Sequence, residues 1–283
     1  VRFNTTPRLE DFEDPELTAL AVDQLGIPLV DWRRGHRKWW EWAQVLRAAE
    51  AVGALRDDAR VLGIASGHET PLYALANRVR LVVATDMYGA TVFAPGEASD
   101  AMMRDPACFA PFEYRREALL VVRSDARDLP FAAESFDFAF SCSSIEHFGR
   151  DADVRRSVLE AFRVLKPGGA YACAVDFLFD ADVKGRKPRR RRRGLLGDLL
   201  TREDVQRIVL DGTGFEVDEE IDFEAEPDAP LVDLDTNRRP NEQFPHLWLS
   251  TRGQRFTSLF VLLHKPTDSG LPPLSPRPDP LGL

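Results

Sequence analysis

The feature that most constrains the fold is the stretch Arg60 to Thr70, RVLGIASGHET, together with the acid-ended run Leu81 to Asp86, LVVATD. Val61, Leu62 and Ile64 form a short apolar run that breaks at Ala65, Ser66 and Gly67, the pattern of a buried strand turning tightly into a helix. Such a turn lets a ligand approach the main chain closely. About 20 residues further on, Asp86 closes a second apolar run, the spacing at which a nucleotide-binding α/β unit sets a carboxylate against ribose hydroxyls. Between them, Pro71 to Val79 reads as a helix, with Pro71 early enough that its missing N–H costs little.

Two further stretches narrow the class. Residues 124 to 148 read SDARDLPFAAESFDFAFSCSSIEHF, and residues 163 to 175 read RVLKPGGAYACAV. Glycine turn, acid-ended strand, Asp-Ala-x-x-Leu-Pro-Phe, Ser-Phe-Asp strand and Leu-Lys-Pro-Gly-Gly before a last strand resemble, in that order, the class I S-adenosylmethionine-dependent methyltransferases over residues 55–265. The resemblance implies a Rossmann-like, seven-stranded, mostly parallel sheet with helices on both faces and an antiparallel last strand. It also implies S-adenosylmethionine as cofactor, held by Gly63, Ala65, Ser66, Gly67 and Glu69 at the turn, by Asp86 with Met87, by Asp125 and the main chain of Ala126 at the adenine, and by Ser141. The family usually carries an acid and three alternating glycines at the first turn. Here Gly63, Ala65, Gly67 and Glu69 stand in those places, and Gly63 and Glu69 motivate an alternative, a non-catalytic methyltransferase-fold binding protein in an assembly. A nicotinamide dehydrogenase shares the turn and the acid-ended strand, but the Leu-Lys-Pro-Gly-Gly and Leu-Pro-Phe elements argue against it.

Methyl transfer from a sulfonium needs alignment and removal of a proton from the acceptor, so few side chains have to do chemistry. His147, just past the carboxyl end of a predicted parallel strand, has a pKa range suited to proton transfer, and Asp176 ends the next strand beside it. Both are the catalytic candidates, and Glu146 is read as orienting a neighbour or capping the next helix. They favour an oxygen acceptor. ATDMYG, SSIEHFG and PHLWLS are similar to methyltransferases that accompany bacterial glycan assembly, which implies a sugar, glycan intermediate or other small hydroxylated acceptor. His and acidic residues lack metal-ligand spacing, so no metal is expected.

Charge bounds the partners. The chain of 283 residues has a net charge of -9 and 44% hydrophobic residues, enough for a packed core but too acidic for general nucleic-acid affinity. The exception is KGRKPRRRRR, residues 184–193, which reads as a solvated, mobile loop or suits an anionic acceptor, an acidic membrane surface, or internal pairing with the acid-rich stretch Asp211 to Asp235. Cys108, Cys142 and Cys173 show no CxxC spacing and fit a reducing, cytoplasmic compartment. No apolar run is long enough for a membrane span, and no leader pattern is present. The first residue is Val, so the chain is read as a processed product or a piece of something longer. Nothing in the sequence sets the oligomeric state.

Boundaries follow composition. Residues 1–35 are polar and proline-punctuated, an arm over the cleft or a linker, with a short helix near Pro15 to Leu25. Residues 36–265 form the methyltransferase domain, with an insertion at 87–118 and the basic loop at 184–193, and residues 266–283 form a disordered Pro-rich tail. Within HRKWWEWAQVLRAAEAVGALR, Trp39, Trp42, Val45, Leu46 and Ala49 share one helical face. Trp40 lies off it, as a candidate substrate contact. Met102, Met103, Phe109, Phe112 and Tyr114 of the insertion line a pocket or build a satellite core. Thr201 and Asp204 mark a late helix start, Phe215 to Phe223 a following strand and Phe256 to Lys265 the last, and the resemblance implies that these two form a hairpin-like antiparallel pair at the sheet edge. Asn237 to Trp248 is read as a loop, in which Arg238, Arg239 and His246 are near-site candidates.

Overall fold

The computed structural model describes residues 2–90, 98–179, 199–226, 230–237 and 239–268. The apolar runs form eight strands: β1 (Arg60–Gly63), β2 (Leu81–Asp86), β3 (Leu119–Arg123), β4 (Phe136–Cys142), β5 (Leu165–Leu178), β6 (Leu231–Asp233), β7 (Trp248–Thr251) and β8 (Gln254–His264). They make one sheet in the order β3-β2-β1-β4-β5-β8-β7-β6. Pairing is parallel from β3 to β5, antiparallel for β5 with β8 and β8 with β7, and parallel again for β7 with β6. The fold class is therefore as expected, with one more strand than the resemblance implied.

Helices cover both faces. The amino-terminal segment holds α1 (Pro15–Ala19) and α2 (Leu29–Trp32), followed by α3 (Arg37–Ala51), α4 (Pro71–Ala76), α5 (Ala101–Arg104), α6 (Asp151–Val164) and α7 (Arg202–Asp204). Asp14 caps α1 by accepting from Leu17 N, and the helix runs on through Leu20–Gln24 with wider turns. On one face, Trp40, Val45, Leu46, Leu72 and Tyr73 pack against Phe138, Phe140 and Phe260. On the other, Val158, Phe162, Ile208 and Phe215 pack against Leu62, Ala139 and Tyr171. Each fully buried Val or Leu side chain in these layers contributes about 1.5–3 kcal/mol.

Three expectations change. Trp40 is not free for a substrate: it is fully buried between Phe260 of β8 and the amino-terminal arm, where its Nε1 donates to Asp11 at 2.8 Å. The segment Phe215 to Phe223 is not a strand. On the edge of β8 away from β5, β7 pairs with Gln254–Phe256 and Thr5 bridges Phe260, and of the segment 215–223 only Glu216 makes a bridge, to His264. The hairpin partner of β8 is instead β7, at the end of the segment read as a loop, joined through Arg252 and Gly253 with φ of 52° and 74°. Of the insertion, Met102 is buried in the main core with Phe109, Phe112 and Tyr114 packed against it, and Met103 is exposed. The basic run 184–193 and residues 269–283 of the tail lie outside the described residues.

Candidate active site

The sheet reverses its winding between β1 and β4, and in open α/β sheets the crevice outside the strand carboxyl ends at such a reversal is where ligands bind. The β1 end is a strained turn with φ of 47° at Ala65 and 46° at Gly67. Gly63 is required by contact: a Cβ there would lie 2.6 Å from Ser66 Oγ. The end of β2 clamps this turn. Thr85 Oγ1 donates to Gly63 O at 2.7 Å, Ser66 N donates to Thr85 O at 3.0 Å, and Tyr88 Oη donates to Gly67 O at 2.6 Å. Asp86 accepts from Gly67 N through Oδ2 at 2.9 Å and from Met87 N through Oδ1 at 2.6 Å. Gly63, Ala65, Ser66, Gly67, Glu69, Asp86 and Met87 are thus brought together around one turn.

Asp125 and Ala126 follow β3 at the same end of the sheet, tied in by Ser124 N donating to Asp86 O at 2.9 Å. Arg127 hydrogen-bonds both Asp125 oxygens, and this pairing holds the carboxyl below its usual pKa range against partial burial. Ala126 is buried. Ser141 is not in the crevice: it is fully buried within β4, where its hydroxyl lies 2.6 Å from Tyr171 Oη.

The first turn of α3 supplies two cations. Lys38 Nζ donates to Glu41 Oε2 and Glu69 Oε1 at 3.1 Å each and to Cys142 O at 2.9 Å. Arg37 Nη1 donates to Asp176, Glu41, Ser143 and Ser258. Burial opposes the charge of each, but Glu41 and Glu69 around Lys38, and Asp176 and Glu41 around Arg37, outweigh it and raise both pKa values. Burial raises the Glu69 carboxyl in spite of Lys38, and burial followed by the Asp176 charge raises Glu146 to about 8. These cations are absent from the residues singled out in the sequence. Arg37, Lys38 and Glu41 do stand at the i,i+3 and i,i+4 spacings of helical ion pairs, which is the signal that points to them.

His147 sits in a single helical turn, Ile145–His147, after β4. Glu146 beside it is 1% exposed and accepts from Asp176 N through Oε1 at 2.9 Å, so it orients the end of β5 and leaves the capping of α6 to Asp153. His147 and Asp176, the two catalytic candidates, come together here, since atoms of Glu146, His147 and Asp176 lie within 4.8 Å of one another. Around the start of α3, His36 stacks on His246 with ring centroids 4.4 Å apart, and Trp39 stacks on Phe244. Arg239 pairs with Glu242 at the surface, and Arg238 lies outside the described residues.

The donor and acceptor set fits S-adenosylmethionine. Glu69 Oε2 is buried without a hydrogen-bond partner, an acceptor suited to an ammonium group. Asp86 brings carboxylate oxygens, the acceptors that ribose hydroxyls call for, to the end of β2, and Asp125 keeps an accessible face for an amino group.

Residues 62–173 match the methyltransferase domain family. Among solved structures, an S-adenosylmethionine-dependent methyltransferase from Methanosarcina mazei is 18% identical, covers 77% of this chain and 97% of its own, and has a TM-score of 0.50. For a putative methyltransferase from Bacillus halodurans the values are 18%, 79%, 99% and 0.49. The fold is that of the class I S-adenosylmethionine-dependent methyltransferases. The chain is 42% identical over 55 residues to 2-methyl-6-phytyl-1,4-hydroquinone methyltransferase 1 of Oryza sativa subsp. japonica, a match spanning 19% of this chain and 16% of that protein. The family match runs through the altered first turn, and Gly63 and Glu69 each have a place in it. The non-catalytic alternative is therefore not favoured.

Proposed function

We propose that this chain transfers a methyl group from S-adenosylmethionine to an oxygen of a small hydroxylated acceptor, a sugar or glycan intermediate, in the cytoplasm. One observation carries the reading: at a single sheet reversal the Gly67 turn, Asp86, the Glu69 and Cys142 oxygens and Asp125 converge, with His147 and Asp176 beside them. On this reading residues 36–265 are the catalytic unit and residues 1–35 an arm packed on it.

The turn from Gly63 to Glu69, Asp86 with Met87, and Asp125 with Ala126 would hold the cofactor. When bound, it supplies an already activated methyl group, so the chain's own task is alignment and proton handling. Asp86 accepts from ribose hydroxyls and Asp125 from an amino group. Arg37 fixes the Asp176 carboxylate, which receives the acceptor hydroxyl, and the His147 imidazole takes its proton. An anionic acceptor is supported by the run 184–193 alone.

Calorimetric titration of the purified chain with S-adenosylmethionine, and separately with S-adenosylhomocysteine, tests this. Micromolar binding that is lost in Asp86→Ala is expected, together with His147→Ala binding normally but turning over hydroxylated acceptors slowly. Absence of binding by both ligands would sink the reading, and unchanged turnover in His147→Ala would remove that residue from it.

A further inference from the structure

Four carboxyls, Glu41, Glu69, Glu146 and Asp176, gather around Arg37 and Lys38 in one connected, largely buried set of ion pairs and hydrogen bonds. Two carboxyl oxygens in the set, Glu69 Oε2 and Glu146 Oε2, are buried without a hydrogen-bond partner. Glu146 is 1% exposed, its Oε1 is spent on Asp176 N, and its Oε2 is buried with no hydrogen-bond partner. An uncompensated buried carboxylate oxygen is costly, so a native fold that keeps one calls for an explanation.

We propose that Glu146, His147 and Asp176 bind a divalent first-row transition-metal cation. Their ligating atoms lie within 4.8 Å of one another, a separation that one ion can span. Two of the three are already held in place. Glu146 is tied to the β5 main chain, and Asp176 is gripped by Arg37, which is itself anchored on Ser143 and Ser258. Outer partners of this kind orient ligating carboxylates in metal sites generally. Binding through Glu146 Oε2 gives that oxygen the partner it lacks. His147 and Asp176 are only half-buried, which leaves a route for the ion.

The donor chemistry selects the metal. One imidazole with two carboxylates suits Mn²⁺, Fe²⁺ or Zn²⁺, whereas Ca²⁺ and Mg²⁺ prefer oxygen alone. Local spacing gave no hint of this, because Glu146 and His147 follow β4 while Asp176 ends β5, and only the parallel pairing of those strands brings them together. A ring nitrogen on the ion removes His147 as a base, so the two roles of that residue exclude each other.

The test uses the full, untagged chain, stripped with a chelator and dialysed to equilibrium against Mn²⁺ or Zn²⁺ with no cofactor or acceptor present. Bound metal is read by elemental analysis and the Mn²⁺ sites by electron paramagnetic resonance. One equivalent at micromolar or lower free metal is expected, weakened at least about tenfold in both Glu146→Gln and His147→Gln with unchanged circular dichroism. Should Glu146→Gln not fold, His147→Gln and Asp176→Asn carry the same comparison. Metal bound equally by the variants, or no metal bound at 100-fold higher free concentration, overturns the proposal. Either failure leaves the methyl-transfer reading in place with His147 as base, and failed cofactor calorimetry leaves the metal site in place.

Discussion

Lowering the pH from 7 to 5.5 loads a specific cost onto the stacked pair His36 and His246. Their rings lie 4.4 Å apart at an interplanar angle of 17°. His36 Nδ1 accepts from Lys38 N at 3.2 Å and so caps α3, while His246 Nδ1 is buried without a partner. Burial, with each ring's cationic neighbours, depresses His36 to about 3 and His246 to about 4. In the unfolded chain both rings titrate near 6.5. Above that pH neither state takes up a proton and the pair costs nothing. Below it the unfolded chain binds protons that the fold refuses, so stability falls as the pH falls toward the folded values. Between pH 7 and 5.5 the linkage relation gives about 1.2 kcal/mol per ring, or about 2.5 kcal/mol for the pair. For a chain of this size that lowers the melting temperature by about 5–10 °C. Glu146, raised to about 8, works in the opposite sense, because its proton is bound more tightly in the fold and stabilises as the pH falls. The raw slope therefore mixes the two. The clean measurement is the difference in melting temperature between pH 7 and 5.5 for the wild-type chain against His36→Asn/His246→Phe, which keeps a capping acceptor and an aromatic ring but titrates at neither place. The variant should lose less on acidification by about the stated amount. An equal loss in both proteins would refute the argument that these rings stay neutral in the fold.

Other consequences are as concrete. Asp86→Ala removes the acceptor for Gly67 N and Met87 N, and should weaken S-adenosylhomocysteine binding at least about tenfold by calorimetry while costing about 1–3 kcal/mol of stability in denaturant titration. Gly63→Ala drives a methyl to 2.6 Å from Ser66 Oγ and should cost about 1–3 kcal/mol by overpacking, read as a shifted denaturation midpoint. Glu41→Gln leaves Lys38 and Arg37 short of a fully buried counter-charge, with an expected loss of about 3–5 kcal/mol, whereas Arg239→Ala at the exposed Glu242 pair should change stability by less than about 1 kcal/mol.

The strands that carry the glycine turn and Asp86 were legible because burial on both faces writes them as continuous apolar runs bounded by small or acidic residues. Thr201 likewise announced its cap, and its hydroxyl accepts from Asp204 N. What stayed hidden depends on contacts distant in sequence. Trp40 looked free because periodicity sees one helix and not the arm that covers its other side. β7 was missed, only its first residue Trp248 falling in the segment read as a loop, because four residues are too few for a period, although Arg252-Gly253 is a hairpin signal that a closer reading of turns would use. Ser141 lies at the expected strand end, but β4 is buried along its whole length and the hydroxyl turns to Tyr171. The partners of Arg37 and Lys38 outside α3 were illegible for the same reason, since Arg37 meets Ser258 across 221 residues of chain.

That last contact bears on the order in which the molecule is made. Thr5 exchanges main-chain hydrogen bonds with Phe260, Asn4 Oδ1 accepts from Leu262 N, and Glu41 and Arg37 both bond Ser258, so residues translated before β1 dock on a strand translated after β7. Until β8 has emerged, α3 lacks part of the surface it rests on and β5 has an open edge. A chain stalled short of residue 254 would present that edge and its half-paired carboxylates together, a species for chaperones to hold until the final strand slides between β5 and β7.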